Sequence, residues 1–391
     1  MKIVVGGTIS MPPFSPGTAW DRLHYILGFQ ALGHDVCFIE EVRPEWSVDS
    51  SGRACAFESS VNRARFCETM GEFGLLSRAS QLYNGGEATA GLDLESLAEF
   101  VHGADLLVNI SGHIKTEFVL RAAKLRLYLD QDPVYTQLWR SEYGADLNLE
   151  DHDLLFTVGT NIGTRHSPIP DCGLTWHHCH PPVVLEHWPD SVDSSSRRFT
   201  TVASWGRYED LLYRGDSYHS KREEFRRFAA LPSRVEEELE VALGGVPDDD
   251  PDRHLLSDAQ WTVRDAARLA SLSRYRAYIA ASRAEIGIAK GAYVKGQAGW
   301  LGDRSAHYLA SGKPVLAQST SLERSLPTGW GLLTFGNMDE AVAGVRKINR
   351  DYEAHCRAAR ELADRYLDAR KVLGSMLETA ASRSVETRER R

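Results

Sequence analysis

The segment Gln297-Ala-Gly-Trp-Leu-Gly-Asp-Arg-Ser-Ala-His-Tyr-Leu-Ala-Ser-Gly-Lys-Pro-Val-Leu-Ala317 constrains this chain more than any other. It reads as a glycine-bearing loop, a short helix from about Asp303, a Gly312-Lys313-Pro314 stop and a buried strand. Such a loop leaves the first N–H groups of the helix unpaired and aims the positive end of its dipole at one spot. That spot suits a diphosphate. Gly299 and Gly302 allow close backbone approach, and the Arg304 guanidinium or the Ser305 hydroxyl would assist. The plainer alternative is an ordinary helix cap by Asp303, whose carboxylate would compete with a phosphate.

The rest of the chain supplies the setting. Strands are expected at Lys2–Val5, Val36–Glu40, Asp105–Ile110, Arg126–Asp130 and Leu154–Val158, with a helix over Thr18–Leu32. Strands separated by helical patterns imply βαβ units and a mostly parallel sheet, with ligand loops at the carboxyl ends of the strands. The Ser-rich stretch 189–198 reads as a linker. A strand restarts at Phe199–Trp205, and a second α/β unit follows. It has helices over Asp258–Leu272 and Leu272–Ser282, a strand at Ala284–Ala289 and a helical region over Met338–Leu373 broken near Asp351. The expected fold is therefore α/β, with two Rossmann-like units facing a cleft. The boundaries are 1–188, the linker 189–198, 199–374 and a helical tail at 375–391 that frays at its end.

The formal net charge of -9 argues against a dedicated nucleic-acid binder. No apolar run reaches the roughly 20 residues of a membrane span, and the start reads as a strand rather than a leader. The six cysteines form no C-x-x-C pair, so reduced thiols and a cytoplasmic location are expected. The His/Cys-rich stretch Cys172–His180 does not have structural-zinc spacing, and no metal is expected.

Two α/β units with a diphosphate-type helix in the second resemble the GT-B glycosyltransferases. Ala298–Ala317 is similar to the donor loop and helix of their family-1 and family-4 members. The pieces Leu326–Phe335 and Asp339-Glu-Ala341 are similar to the loop and helix start that follow. Gln297 stands where family 1 has a His, and His307 where it has a ribose-binding Glu. The resemblance implies a metal-independent enzyme without a cofactor. Its partners would be a nucleoside-diphosphate sugar as donor and a small-molecule acceptor, with no nucleic acid and no membrane span. A GT-B sugar-nucleotide 2-epimerase, a non-catalytic sugar-nucleotide binder and a dinucleotide oxidoreductase are the alternatives. Gly6-Gly7 lacks the G-x-G-x-x-G fingerprint that the last would need.

Donor-binding candidates are Gly206, Tyr218 and Lys221 in the loop after the Phe199 strand, Lys290 and Lys295 after the next, and Gly299, Gly302, Asp303, Arg304 and Ser305. The lysines would act as point charges on phosphate and the aromatics as stacking surfaces. Candidate bases are Asp130 and Asp132 at a strand end, with Asp21 and His24, one helical turn apart, as the rival pair. Asp132-Pro133 is explained as simply by a turn. Acceptor-side candidates are Phe14, Trp20, Asn109, Arg165 and Trp176, all in or beside loops expected at the cleft.

Overall fold

The computed structural model describes residues 1–12, 15–205 and 208–389. The candidates Phe14 and Gly206 lie outside the described residues. Two sheets carry the architecture. The first contains β1 (Lys2–Gly6), β2 (Asp35–Val42), β3 (Ala79–Tyr83), β4 (Ala88–Gly91), β5 (Leu106–Ile110), β6 (Leu125–Asp130), β7 (Leu154–Thr157) and β8 (Trp176–His178). The order is β4-β3-β2-β1-β5-β6-β7-β8, and only the β3–β4 pairing is antiparallel.

The second half contains β9 (Arg198–Ser204), a hairpin of β10 (Leu211–Tyr213) and β11 (Asp216–Tyr218), β12 (Glu238–Gly244), β13 (Thr262–Asp265), β14 (Ala284–Gly287), β15 (Val315–Gln318) and β16 (Leu332–Phe335). Its sheet runs β13-β12-β9-β14-β15-β16, parallel throughout. The central strands are apolar on both faces because helices cover both sides. Ile3, Val5, Leu106 and Val108 of the first sheet are fully buried, as are Phe199, Ala284 and Ile286 of the second.

Most central elements fall where hydrophobic pattern places them, and three regions differ. The helix expected over Asp258–Leu272 is a helix at Pro251–Asp258 followed by β13. Gln260 turns with φ 72°, Trp261 plugs the core, and the chain then pairs along β12. As an edge strand β13 is largely exposed and carries no period-2 signal. Strands β3, β4, β8, β10 to β12 and β16 fall outside the expected set. They are short, or carry polar residues that pairing and turns accommodate.

The third difference is the chain end. The helical tail expected from 375 is part of a longer helix over Ala369–Glu389, with Met376 and Ala380 buried. It crosses back onto the first half and packs on the Pro16–Ala31 helix. Gly28 permits this approach, since a Cβ there would lie 2.6 Å from Leu373 Cδ1 and 2.9 Å from Ala369 Cβ. The backbone is tied at the same crossing by Val183 N–H to Leu367 O at 2.7 Å and Ala369 N–H to Val183 O at 2.9 Å. Among the described residues no helix is long and apolar enough to cross a membrane.

The carboxyl-end loops of the two sheets meet. Asn161 N–H donates to Ala298 O at 3.1 Å, and its Nδ2 donates to Gln297 O at 2.9 Å. Thr160 Oγ1 donates to Gly299 O at 2.9 Å.

Candidate functional site

The Asp303–Ala310 helix forms as the sequence predicts, but Gly302 is its N-cap, with no side-chain cap. Asp303 is the first helical residue rather than the cap. The helix start opens onto a pocket at the carboxyl ends of β14 and β15. Gly287, Ala289, Gly302, Ser305 and Gln318 are among the residues lining it. Ser305 is buried against this pocket. Unpaired N–H groups and a concavity at strand ends suit an anionic ligand.

Gly299 serves a different contact from the one expected. Its φ is 69°, and a Cβ there would lie 2.4 Å from Thr160 Oγ1. Its freedom lets the first half approach the loop.

Three cations gather beside the helix start. Arg304 is committed inside the second half, paired to the fully buried Glu285 of β14 and donating to Val202 O at 2.6 Å. Lys290 donates to Asp132 Oδ1 at 3.0 Å and to the Tyr293 hydroxyl at 2.9 Å. Lys221, at the start of the Lys221–Arg227 helix, has no hydrogen-bond or ion-pair partner among the described residues. Burial pushes its ammonium well below the ordinary lysine range, and repulsion from Arg304 and Lys290 outweighs the pull of Glu285 and Asp303. A cation so placed is stabilised by an incoming anion.

Glu285 is the residue that pattern reading misses. A Glu inside the apolar run Ala284–Ala289 demands a buried cation, and that demand is the available signal.

Asp132 comes from the other half, just beyond β6. Burial works to raise its pKa, but Lys290 beside it, with the hydroxyls of Tyr208 and Tyr293, holds it below the usual aspartate range. Tyr293 donates to Asp132 Oδ1 at 3.0 Å. Lys290 Nζ also lies 3.4 Å from the Tyr208 ring centroid and 4.9 Å from that of Tyr135. Asp132 is thus an ionised carboxylate at the cleft, already holding a cation from the facing half.

Asp130 lies beneath it and is fully buried. Thr136 donates to Oδ1 at 2.6 Å, while Gln137 and Thr157 donate to Oδ2 at 3.0 and 2.8 Å. Burial raises its pKa against those donors. It accepts the Asp132 N–H at 2.9 Å, which shapes the turn that carries Asp132.

Asp21 and His24 share the first helix but not a task. Asp21 pairs with Arg22 and accepts from Gln131 Nε2 at 2.7 Å. Burial raises its pKa to about 6 against the pull of Arg22, with Asp303 adding to the rise. His24 is sealed in the contact between halves. Its Nε2 lies 3.1 Å from His307 Nε2, and its Nδ1 accepts the Val184 N–H at 3.1 Å. Trp188 stacks on His307 at 4.3 Å between ring centroids.

The remaining candidates scatter. Trp20 is buried in that same contact, its Nε1 donating to Leu272 O at 3.2 Å. Lys295 pairs with Asp216 of the hairpin at 3.1 Å, and Tyr218, in the same strand, is buried. Asn109 is buried and ties its own loop through Ile114. Trp176 is buried on β8, donating to Asp171 O at 3.1 Å. Arg165 is exposed. Among the described residues no three His, Cys, Asp or Glu side chains group as a metal site.

No family model matches the chain, and no curated protein matches it in sequence. Solved structures do match in fold. An alpha-glucosyltransferase in complex with UDP and a 13-mer DNA containing an HMU base superposes with TM-score 0.60 at 11% identity, over 97% of this chain and 98% of that one. Anabaena HepE in complex with UDP-glucose gives TM-score 0.59 at 12% identity, over 98% of this chain and 100% of that one. The alpha-glucosyltransferase in complex with UDP gives 0.57 at 10% identity, over 97% and 99%. Full-length superposition at such low identity, with two mostly parallel sheets meeting at their carboxyl edges, identifies the chain as having the GT-B fold.

Proposed function

We propose that this protein is a glycosyltransferase, moving a sugar from a nucleoside-diphosphate sugar to a small-molecule acceptor. One observation carries the reading: Lys221 stands without a hydrogen-bond or ion-pair partner among the described residues, close enough to Lys290, Arg304 and Asp303 at the open start of the Asp303–Ala310 helix to feel their charges. A diphosphate fits that deficit. The nucleoside would occupy the pocket over β14 and β15, and the phosphates would meet the free N–H groups, Ser305 and Lys221. Solved neighbours of the same fold hold UDP or UDP-glucose, which supports this donor class.

Catalysis would come from charge placed where the leaving group develops its own. As the sugar–phosphate bond breaks, negative charge grows on the diphosphate. Lys221 and the helix terminus stabilise it without reorganising. Asp132 is the best-placed base for an acceptor hydroxyl, provided the acceptor displaces Lys290 from it. The alpha-glucosyltransferase neighbour was solved with DNA, but the net charge of -9 here favours an uncharged or cationic acceptor over a polyanion.

A thermal-shift panel of UDP, dTDP, GDP, ADP and NAD tests the donor. Stabilisation by a nucleoside diphosphate, lost in Lys221→Ala, is the expected result. No shift with any diphosphate, or a shift with NAD alone, sinks the reading. Incubation with the preferred sugar nucleotide alone separates transfer from epimerisation of the donor sugar.

A further inference from the structure

Lys221 and Lys290 are two like charges held as neighbours. Lys221 opens the Lys221–Arg227 helix, and Lys290 is the N-cap of the helix Gly291–Lys295. The chain just before the first meets the chain just after the second: Ala292 N–H donates to His219 O at 2.8 Å. Each ammonium is close enough to repel the other. Repulsion favours separation, so the surrounding structure must hold the two in place.

Glu224 lies three residues after Lys221 on the same helix and is only 4% exposed. Its Oε2 accepts Gln318 Nε2 at 2.6 Å. Gln318 ends β15, is buried, and lines the pocket over β14 and β15. Its Oε1 accepts the N–H of Ala289, the residue before Lys290, at 3.2 Å. On the other side of Lys290, a Cβ built on Gly291 would lie 3.1 Å from Glu224 Oε1. One carboxyl group therefore joins the helix of Lys221, the pocket floor and the backbone on both sides of Lys290.

The helix has other anchors. Arg222 and Arg226 hold its outer face on Asp252 at 2.6 and 2.8 Å. Arg227 pairs with Glu224 as well, but its side chain is 56% exposed, and such a pair contributes little. A buried carboxyl costs desolvation that a well-packed apolar side chain does not. What the hydrogen-bonded carboxyl adds is a fixed geometry, and a site built before its ligand arrives binds without the cost of ordering. We propose that Glu224 is a positioning residue for the donor diphosphate: through Gln318 it fixes where Lys221 stands relative to Lys290 and the pocket floor. This rests on the donor reading above.

The test reads the ratio of UDP to uridine affinity by calorimetry on the full chain, since uridine shares the pocket and lacks the phosphates. If another base of the panel above binds tighter, its nucleoside diphosphate and nucleoside take their place. Glu224→Met and Gln318→Leu cut the same hydrogen bond from its two ends. Each should shrink the ratio about 10-fold, within the roughly 100-fold that a misplacement of about 1 Å can cost. Glu224→Gln keeps an acceptor for Gln318 and should hold the ratio within about threefold of wild type. Thermal unfolding midpoints show which variants fold, and Gln318→Leu carries the test should Glu224→Met fail to fold. An unchanged ratio in a folded cut variant overturns the assignment, whether both affinities hold or both fall together. So does a loss in Glu224→Gln equal to that in Glu224→Met. If no nucleoside diphosphate of the panel binds the wild type, the donor reading falls and this assignment with it.

Discussion

Lys290 Nζ lies 3.0 Å from Asp132 Oδ1, and the two residues come from facing edges of different sheets. Their side chains are only 16% and 25% exposed, so the pair is shielded enough to matter. Removing one partner leaves the other charge half-buried and uncompensated. Asp132→Asn and Lys290→Met should each destabilise the protein by about 1–3 kcal/mol, in the range for charge-assisted hydrogen bonds. The double variant should recover part of that loss. A double-mutant cycle by denaturant unfolding checks it, and strict additivity would remove the coupling.

Lys221 should trade stability against binding. In the free protein its ammonium is desolvated and repelled by its neighbours. Lys221→Met should therefore raise the unfolding midpoint of the free protein while weakening UDP binding by about 10- to 100-fold, the worth of one charge-assisted contact. A variant that loses both stability and binding would point to a structural lysine instead.

The same depressed pKa predicts proton uptake. Under the proposed donor site, a lysine held low in the free protein should gain a proton when a diphosphate binds and favours its charged form. Uptake appears at pH values above the free-state pKa of Lys221 and below its pKa in the complex. Calorimetry of UDP binding in buffers of different ionisation enthalpy reads the number of protons directly. Lys221→Met should abolish the uptake.

Acid should weaken the contact between halves. Burial holds His307 down at about 4, and His24 is also held well below the ordinary histidine range. Both are neutral in the fold and must charge on unfolding in acid. Their contribution is full above the unfolded value of about 6.5 and is lost as pH falls from there toward 4. For His307 alone the loss over that window is on the order of 3 kcal/mol. Unfolding midpoints measured from about pH 7.5 down to about 4 should fall steeply below 6.5. His307→Gln should flatten the slope.

Gly299 should tolerate nothing larger. Its φ of 69° and the 2.4 Å that would separate an added Cβ from Thr160 Oγ1 leave no room. Gly299→Ala should cost about 1–3 kcal/mol, from backbone strain and a displaced Thr160. Paired Thr160→Gly should restore part of it, read by the same unfolding assay.

What the residue pattern reveals is governed by how locally each feature is encoded. The apolar runs of β1, β5, β9 and β14 and the Asp303 helix are written in consecutive residues, and they are readable. The edge strand β13 is not, because its pairing with β12 is tertiary and its exposed face carries no alternation. The site divides along the same line. Lys221, Lys290 and Asp132 are legible as charges at strand ends. That Lys290 takes Asp132 and Arg304 takes Glu285, leaving Lys221 alone, depends on distances between residues 158 and 19 positions apart. Gly299 is legible as a glycine that something must approach, but not as one approached by Thr160.

The chain passes between its halves twice, once near residues 189–198 and again where Ala369–Glu389 returns to the Pro16–Ala31 helix. A single tether would let one half swivel about any direction. Two passages of chain crossing at one edge define an axis. A rocking about that axis is the motion such a pair of crossings opposes least.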